Sequence, residues 1–195
     1  MRKAEFVRKT NETTVRVLID LDGGGGEPTV LKSGIGFFDH MLAAFARFGL
    51  FDLQVECQGD LIVDGHHSVE DCGIVLGIAI KAALGEKEGI SRAASCFFPM
   101  DEALAFCALD LSGRPYFGFE GELGTEMLGG FSAPLAEEFF RALAMNAGLT
   151  LHMSVKGRNA HHQIEALFKA FGRALGDAVA KDPRVKGVPS TKGML

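Results

Sequence analysis

Apolar and polar residues alternate near the start of the chain and then recur at helical spacing. Residues 6–21 place Val15 and Val17 on one face, which predicts a strand or a hairpin that turns at residues 11–12. Residues 37–48 carry apolar side chains at the spacing of an amphipathic helix, and Gly49 is available to cap it. The other elements predicted in the first half are short strands at 28–31 and 50–57 and a helix that ends near Gly85.

The second half of the chain repeats this order of elements. Its predicted elements are strands at 93–98, 104–111 and 116–122, a helix at 135–147, a strand at 149–156 and then a long helix. The segment HHSVE at 66–70 recurs as HHQIE at 161–165. A glycine-ended helix and a strand precede both copies, and a helix follows both, which indicates a diverged internal repeat.

The repeat predicts a single α+β domain with duplicated half-domains. The two pseudo-repeats would span about 1–90 and 91–188, and a loop tail would follow at 189–195. Each half would form one small β-sheet with two helices. Neither half alone can cover both its sheet and its helices, so we expect two sheets packed around paired helices.

Composition and charge exclude several classes of protein. Of the 195 residues, 47% are apolar and 23% are charged, so the chain can bury a core and should not be disordered. The net charge of −5 argues against nucleic acid as a partner. The N-terminal residues lack the apolar stretch of a signal peptide, and no uncharged run is long enough to span a membrane. The four cysteines form no C-x-x-C pair and are interpreted as reduced core residues of a cytoplasmic protein.

The two HHxxE segments contain candidate metal ligands. On a helix, His66 and His67 lie four and three residues before Glu70, so each can share a face with that carboxylate. Adjacent histidines diverge by about 100° on a helix, so the two members of a pair can serve different metals. Imidazole and carboxylate without thiolate suit Zn, Fe, Mn, Ni or Co.

Two further histidines fit the same site. His40 lies in the first predicted helix and His152 in the strand before the second motif, and these positions do not correspond under the repeat. The eight candidate ligands are His40, His66, His67, Glu70, His152, His161, His162 and Glu165. Divided between two metals, they would leave open coordination positions, which are typical of a catalytic rather than a structural site.

Longer motifs around these residues carry a resemblance to a known family. They are NETTV, GIGFFDHML, DGHHSVEDCGI, MDEAL, DLSGRPY, NAHHQIEALFKAFGRAL and PSTKG, spread from about residue 6 to 193. In these segments the chain resembles the imidazoleglycerol-phosphate dehydratase family of histidine biosynthesis. It departs from the usual pattern at Phe38, where an aliphatic residue is more common, and at Ser68, where threonine is. Neither position is a candidate ligand.

The resemblance implies a fold, a reaction and an assembly. The fold would be of the ribosomal protein S5 domain 2-like type, and the enzyme would be a hydro-lyase. It would remove water from D-erythro-imidazole glycerol phosphate through a metal-bound imidazolate, giving imidazole acetol phosphate. The eight ligands would hold two Mn²⁺ per active site, with Glu70 and Glu165 also counted as catalytic. The implied assembly is a homo-oligomer of 24 subunits with active sites shared between neighbours.

The resemblance also implies substrate contacts beyond the metal ligands. Glu12 matches a glutamate that contacts substrate and is a candidate acid or base. The positions that match phosphate-binding residues are Arg92, Arg114, Ser190, Thr191 and Lys192. Arginine offers bidentate contacts to phosphate, while lysine and hydroxyl groups add single donors. Each of these residues in isolation is typical of a polar or charged protein surface, so their assignment depends on the resemblance.

Two other functions share features with this sequence. Residues 17–23, VLIDLDG, resemble the opening of a haloacid-dehalogenase-type phosphatase, but no acidic Mg²⁺ pair follows and the histidines would be unused. A non-catalytic metal-binding protein would explain the repeated histidines but not the arginines and the tail. The sequence leaves open which ligand serves which metal, which subunit supplies it and which base removes the carbon-bound proton.

Overall fold

The first half of the chain forms a four-stranded sheet packed against helices. In the computed structural model, which describes residues 2–24 and 30–193, the elements of this half are β1 (Lys3–Lys9), β2 (Thr13–Asp20), β3 (Val30–Lys32), α1 (Gly36–Gly49), β4 (Asp52–Gly59) and α2 (His66–Leu84). The sheet order is β1-β2-β4-β3, in which β3 runs parallel to β4 and the other neighbours are antiparallel. Residues 6–21 therefore belong to a hairpin. The strand predicted at 28–31 begins outside the described residues and is seen from Val30 onward.

The second half forms a sheet with the same arrangement. Its elements are β5 (Ala93–Met100), β6 (Ala103–Asp110), β7 (Tyr116–Glu120), β8 (Met127–Leu128), β9 (Phe131–Ser132), α3 (Leu135–Ala147), β10 (Thr150–Lys156) and α4 (Ala160–Val179). The order is β5-β6-β10-β7, with β7 parallel to β10. The small β8–β9 hairpin was not predicted, because two-residue strands are too short to show a periodic pattern.

Alternating burial on the inner strands directs the helices to one face of each sheet. In β2 every second side chain is buried, and Val15 and Val17 have no solvent exposure. The buried face of the first sheet packs on α2, and that of the second packs on α4. Between the sheets α1 packs on α4 and α2 packs on α3, so the helices of one half meet those of the other. The predicted α+β arrangement of two sheets around paired helices is confirmed.

Buried phenylalanines hold three of the helices together. The rings of Phe139 on α3 and Phe168 on α4 stack with their centroids 5.1 Å apart. Phe38 on α1 meets Phe139 edge-on at 5.3 Å. Such pairs contribute about 0.5–1.5 kcal/mol each beyond the area they bury. The neighbouring Phe37 lies edge-on to His161 at 5.0 Å, so this aromatic core reaches the candidate metal ligands.

Glycines allow the paired helices to approach closely. A Cβ atom added at Gly77 on α2 would lie 2.6 Å from the carbonyl oxygen of Leu143 on α3. One added at Gly172 on α4 would lie 2.5 Å from the carbonyl oxygen of Phe45 on α1. Both distances are too short for any residue with a side chain, so each helix crossing requires its glycine.

The ends of α1 and α3 differ in a way the sequence pattern did not predict. Gly148 caps α3 in the left-handed region at φ 67°, as expected from its position. The expectation that Gly49 caps α1 is wrong, because Leu50 takes the left-handed cap at φ 59°. Gly49 lies inside the helix, where a Cβ would be 2.2 Å from the Phe51 ring. The close contact with the Phe51 ring therefore explains why glycine occupies position 49.

The cysteines fit their interpretation as reduced residues, three of them in the core. All four cysteines are free thiols, and Cys57, Cys72 and Cys107 are buried. Burial raises the pKa of Cys107 far above its ordinary value, which leaves the thiol protonated and a poor nucleophile. Within the described residues, no helix is both long and apolar enough to cross a bilayer.

Candidate active site

One group of side chains lies where the first turns of α1 and α4 meet. It consists of His40, His161 and Glu165, and we name it the α1–α4 cluster. Oε2 of Glu165 lies 3.4 Å from Nε2 of His40 and 3.1 Å from Nε2 of His161. Donor atoms of the three residues all lie within 4.8 Å of one another. Within residues 2–24 and 30–193, this is the sole group of three such ligands that satisfies this distance.

The carboxylate of Glu165 is held ionised although it is buried. Burial by itself raises the pKa of this group, but Lys169 donates a hydrogen bond to Oε1 and His40 lies beside Oε2. Nζ of Lys169 is 2.7 Å from Oε1, and the net effect lowers the pKa of Glu165 below its ordinary value. A carboxylate binds a divalent cation in its ionised form. The Glu165 oxygen and the two imidazoles beside it are therefore suitable metal ligands.

A second group, the α2 cluster, lies at the start of α2. It consists of His66, His67 and Glu70 with Glu12 from the β1–β2 turn and Asp60 from the loop after β4. Nε2 of His66 is 3.8 Å from Oε2 of Glu70. Nδ1 of His67 is 3.0 Å from Oδ2 of Asp60, and its Nε2 is 3.8 Å from Oε1 of Glu12. The Asp60 hydrogen bond, with the charges of Glu12 and Asp60, raises the pKa of His67 above its ordinary value.

His162, from the second motif, has a similar pair of carboxylate neighbours. Its Nδ1 is 2.8 Å from Oε2 of Glu102, and its Nε2 is 3.7 Å from Oδ2 of Asp101, both in the β5–β6 turn. Oε1 of Glu102 accepts hydrogen bonds from the backbone N–H groups of Arg158 and Asn159, at 3.1 and 2.8 Å. The hydrogen bonds from His162 and these N–H groups lower the pKa of Glu102 to about 2. The carboxylate is therefore charged and fixed in place.

The two arginines among the candidate phosphate-binding residues meet around one aspartate, Asp110. Arg92 donates two hydrogen bonds to Asp110, at 2.7 and 3.0 Å, and a third, of 2.7 Å, to the carbonyl oxygen of Pro189. Nη2 of Arg114 lies 3.8 Å from the same carboxylate, and its side chain is 69% exposed. The contact with Pro189 brings the tail that carries Ser190, Thr191 and Lys192 to this place. We name Arg92 and Arg114, with Asp110 and residues 190–192, the arginine cluster.

His152 lies apart from the other candidate ligands of its half. It is exposed on the outer face of the second sheet, where its ring centroid is 5.2 Å from that of Tyr116. It pairs with Ala108 of β6, two residues from Asp110 along the same strand. The fold therefore places His152 beside the arginine cluster, on the side of the sheet away from α4.

Comparison with known proteins assigns the chain to a family. The family model of imidazoleglycerol-phosphate dehydratase matches residues 33–175, which include both HHxxE segments. The imidazoleglycerol-phosphate dehydratase of Acetivibrio thermocellus is 60% identical over 195 residues, covering 100% of this chain and 99% of that protein.

The chain belongs to the imidazoleglycerol-phosphate dehydratase family. It is therefore an enzyme of the hydro-lyase class. The crystal structure of imidazoleglycerol-phosphate dehydratase from Staphylococcus aureus is similar with a TM-score of 0.82 and 39% identity, over 92% of this chain and 99% of that one. The structure of the Pyrococcus furiosus enzyme gives a TM-score of 0.81 and 35% identity, over 97% of this chain and 100% of that one.

Three residues of this dehydratase were not selected from its sequence. They are Asp60, Glu102 and Lys169. Glu102 occupies the β5–β6 turn and Glu12 occupies the β1–β2 turn, so a comparison of the two hairpins would have found it. Lys169 follows Glu165 at the i+4 position, a spacing that predicts an ion pair on a helix. Asp60 has no such signal, because its approach to His67 depends on the path of the loop after β4.

Proposed function

We propose that the chain dehydrates D-erythro-imidazole glycerol phosphate to imidazole acetol phosphate, a step of histidine biosynthesis, in the cytoplasm with two Mn²⁺ per active site. The observation that supports this most directly is the α1–α4 cluster, which brings a buried, ionised carboxylate and two imidazoles together in a member of the dehydratase family. Neither a phosphatase nor a storage protein accounts for that family membership.

The donor set fits a divalent transition metal. Imidazole nitrogen with carboxylate oxygen, and no thiolate, suits manganese and related ions. The proposed ligands are His40, His66, His67, Glu70, His152, His161, His162 and Glu165. Bound Mn²⁺ would supply positive charge that lowers the pKa of a substrate imidazole N–H.

Glu12 is the proposed acid or base beside this metal site. The β1–β2 hairpin presents its carboxylate 3.8 Å from His67, and more than half of the side chain is exposed. A carboxylate in that position can exchange a proton with a substrate bound over the α2 cluster. The residue is close to the ligands without replacing one of them.

The arginine cluster is the proposed site for the substrate phosphate. Arg114 is largely exposed, and Arg92 already lies against the tail through Pro189. A phosphate could compete with Asp110 for both guanidinium groups, and the Ser190 and Thr191 hydroxyls and Lys192 would add donors. The cluster supplies local positive charge that the chain, at −5 overall, otherwise lacks.

The positions of the proposed ligands support active sites that are shared between subunits. Each chain gathers three ligands in the α1–α4 cluster, whereas His152 lies on the outer face of its own second sheet. A six-coordinate ion needs more donors than one cluster supplies. We therefore propose that His152 completes a site on a neighbouring subunit, within a homo-oligomer of 24 copies.

We also propose one dehydratase domain made of two pseudo-repeats, at about 1–90 and 91–188, with the tail at 189–195. The matched sheet orders of the two halves and the cross-packing of their helices support this division.

The test is a dehydratase assay on metal-free protein with single metals added back. We expect little turnover without metal and recovery of imidazole acetol phosphate formation with Mn²⁺. Released inorganic phosphate is measured in the same samples, because a phosphatase would produce it. Mn²⁺ binding without any dehydration of the substrate would contradict the proposed function.

A further inference from the structure

We infer that Glu102 and Asp60 are positioning residues that set the ring tautomer of two metal-binding histidines. Each carboxylate faces Nδ1 of one histidine, Glu102 that of His162 and Asp60 that of His67. The inference rests on the proposed metal site and adds to it the residues that prepare its ligands.

The geometry at Glu102 is that of a fixed acceptor. Its Oε1 accepts two backbone N–H groups at the start of the α4 region, and its Oε2 lies 2.8 Å from Nδ1 of His162. Asn159, which precedes α4, accepts the backbone N–H of His162 with its side chain. The ring of His162 is therefore held by Glu102 and its backbone by Asn159, and Glu102 also accepts the N–H of Asn159.

The first motif has the same relation with different residues. Both carboxylate oxygens of Asp60 lie near Nδ1 of His67, at 3.2 and 3.0 Å. Asp60 follows β4, whereas Glu102 lies in the β5–β6 turn, so the two carboxylates come from non-equivalent elements. In both copies a carboxylate lies at Nδ1 of the second histidine of the motif, but the two carboxylates come from different parts of the fold.

The physical consequence concerns the other ring nitrogen. A neutral imidazole carries one proton, and an anionic acceptor at Nδ1 holds the proton there. The Nε2 lone pair is then available to a metal, and the ring is already oriented. Removing such a partner from a metal-binding histidine typically weakens metal binding by about 10–100-fold.

Glu102→Gln is the sharpest test, because the two backbone donors select which end of the amide faces them. The amide oxygen should stay with the N–H groups of Arg158 and Asn159, which turns the NH₂ group toward His162. That group would donate to Nδ1 and move the ring proton to Nε2, where it blocks the metal. We expect Mn²⁺ affinity at this site to fall by about 10–100-fold.

Asp60→Asn provides an internal contrast. Its amide oxygen remains free to accept from Nδ1 of His67, so Mn²⁺ affinity should change less than in Asp60→Ala. Glu56→Gln is the matched control for a lost charge, because Glu56 pairs with Arg16 on the outer face of the first sheet. Its Mn²⁺ affinity should equal that of the unmodified protein.

Binding is measured on the full chain from the electron paramagnetic resonance signal of free Mn²⁺, and circular dichroism is recorded alongside. If the unmodified protein binds no Mn²⁺, the proposed function fails. If it binds Mn²⁺ and both Glu102→Gln and Asp60→Ala bind with unchanged affinity, the positioning role is wrong while the proposed function stands. If Glu102→Gln loses its fold, Asp60→Ala decides the question in the first motif.

Discussion

Glu165 shows what a single residue of the site requires from its surroundings. It is 6% exposed, and burial alone would favour its protonated form. Lys169, one turn further along α4, reverses that tendency and keeps the carboxylate charged. The HHxxE pattern predicted that Glu165 shares a helix face with His161. That pattern could not predict burial or the approach of His40, because both depend on how α1 packs on α4.

Glu12 allows a prediction that separates acid–base chemistry from metal binding. Glu12→Gln should leave the manganese content unchanged, because the residue lies beside His67 and is not among the proposed ligands. We expect kcat to fall by about 10²–10⁴-fold, the usual contribution of a positioned acid or base. Metal content is measured by elemental analysis and turnover by product formation.

Glu5→Gln is the control for that experiment, since Glu5 pairs with Arg16 on the sheet surface. It should change neither quantity. Lost manganese in Glu12→Gln, or an unchanged kcat, would contradict the assigned role.

At the scale of elements, the sequence predicted the bounds of the helices better than the structural roles of the glycines at their ends. The bounds of α3 agree with its apolar pattern, and Gly148 ends it as expected. Gly49 looks equivalent in sequence, yet it serves a close contact with Phe51 while Leu50 takes the left-handed cap. A pattern read along one helix cannot distinguish a capping glycine from one that a neighbouring chain segment requires.

Gly77→Ala should destabilise the fold, although alanine favours a helix more than glycine does. The new Cβ would meet the Leu143 carbonyl oxygen at 2.6 Å, which costs about 1–3 kcal/mol as overpacking. The gain in helix propensity offsets about 1 kcal/mol of that cost. The net loss, up to about 2 kcal/mol, should lower Tm in a thermal melt by up to about 4–8 °C, at about 2–4 °C per kcal/mol.

Gly36→Ala provides the comparison, because a Cβ at that first residue of α1 would meet nothing within 4 Å. Its Tm should stay the same or rise. Equal Tm values for Gly77→Ala and the unmodified protein would show that the α2–α3 crossing can relax.

At the scale of the whole molecule, the repeat predicted the architecture but not the separate positions of His40 and His152. The recurring HHxxE segments indicated two equivalent half-domains, and the matched sheet orders agree with that expectation. His40 and His152 have no counterparts under the repeat. Their separate locations, one in the α1–α4 cluster and one on the outer sheet face, follow from tertiary packing, which no local pattern records.

That separation leads to a prediction about mixed assemblies. His152→Ala and Glu165→Gln should each be inactive alone, since each removes a proposed ligand from every site. If His152 and Glu165 of one site come from different subunits, coexpression of the two variants creates some sites with both residues intact. A site is intact only when the subunit that supplies His152 and the subunit that supplies Glu165 each carry that residue unchanged. When equal amounts mix randomly, each of these conditions is met in about half of the sites, so roughly a quarter of the unmodified activity should return.

The same experiment distinguishes the two ways of building the site. Sites made within one chain would stay inactive in every mixture, because each chain carries one defect. Size-exclusion chromatography must show that the mixed protein assembles like the unmodified one, and manganese content must rise together with activity. An assembled but inactive mixture would place His152 and Glu165 of one site in the same subunit, whereas full activity of His152→Ala alone would remove His152 from the site. The exposed position of His152, beside the arginine cluster and away from α4, makes recovery of activity the expected result.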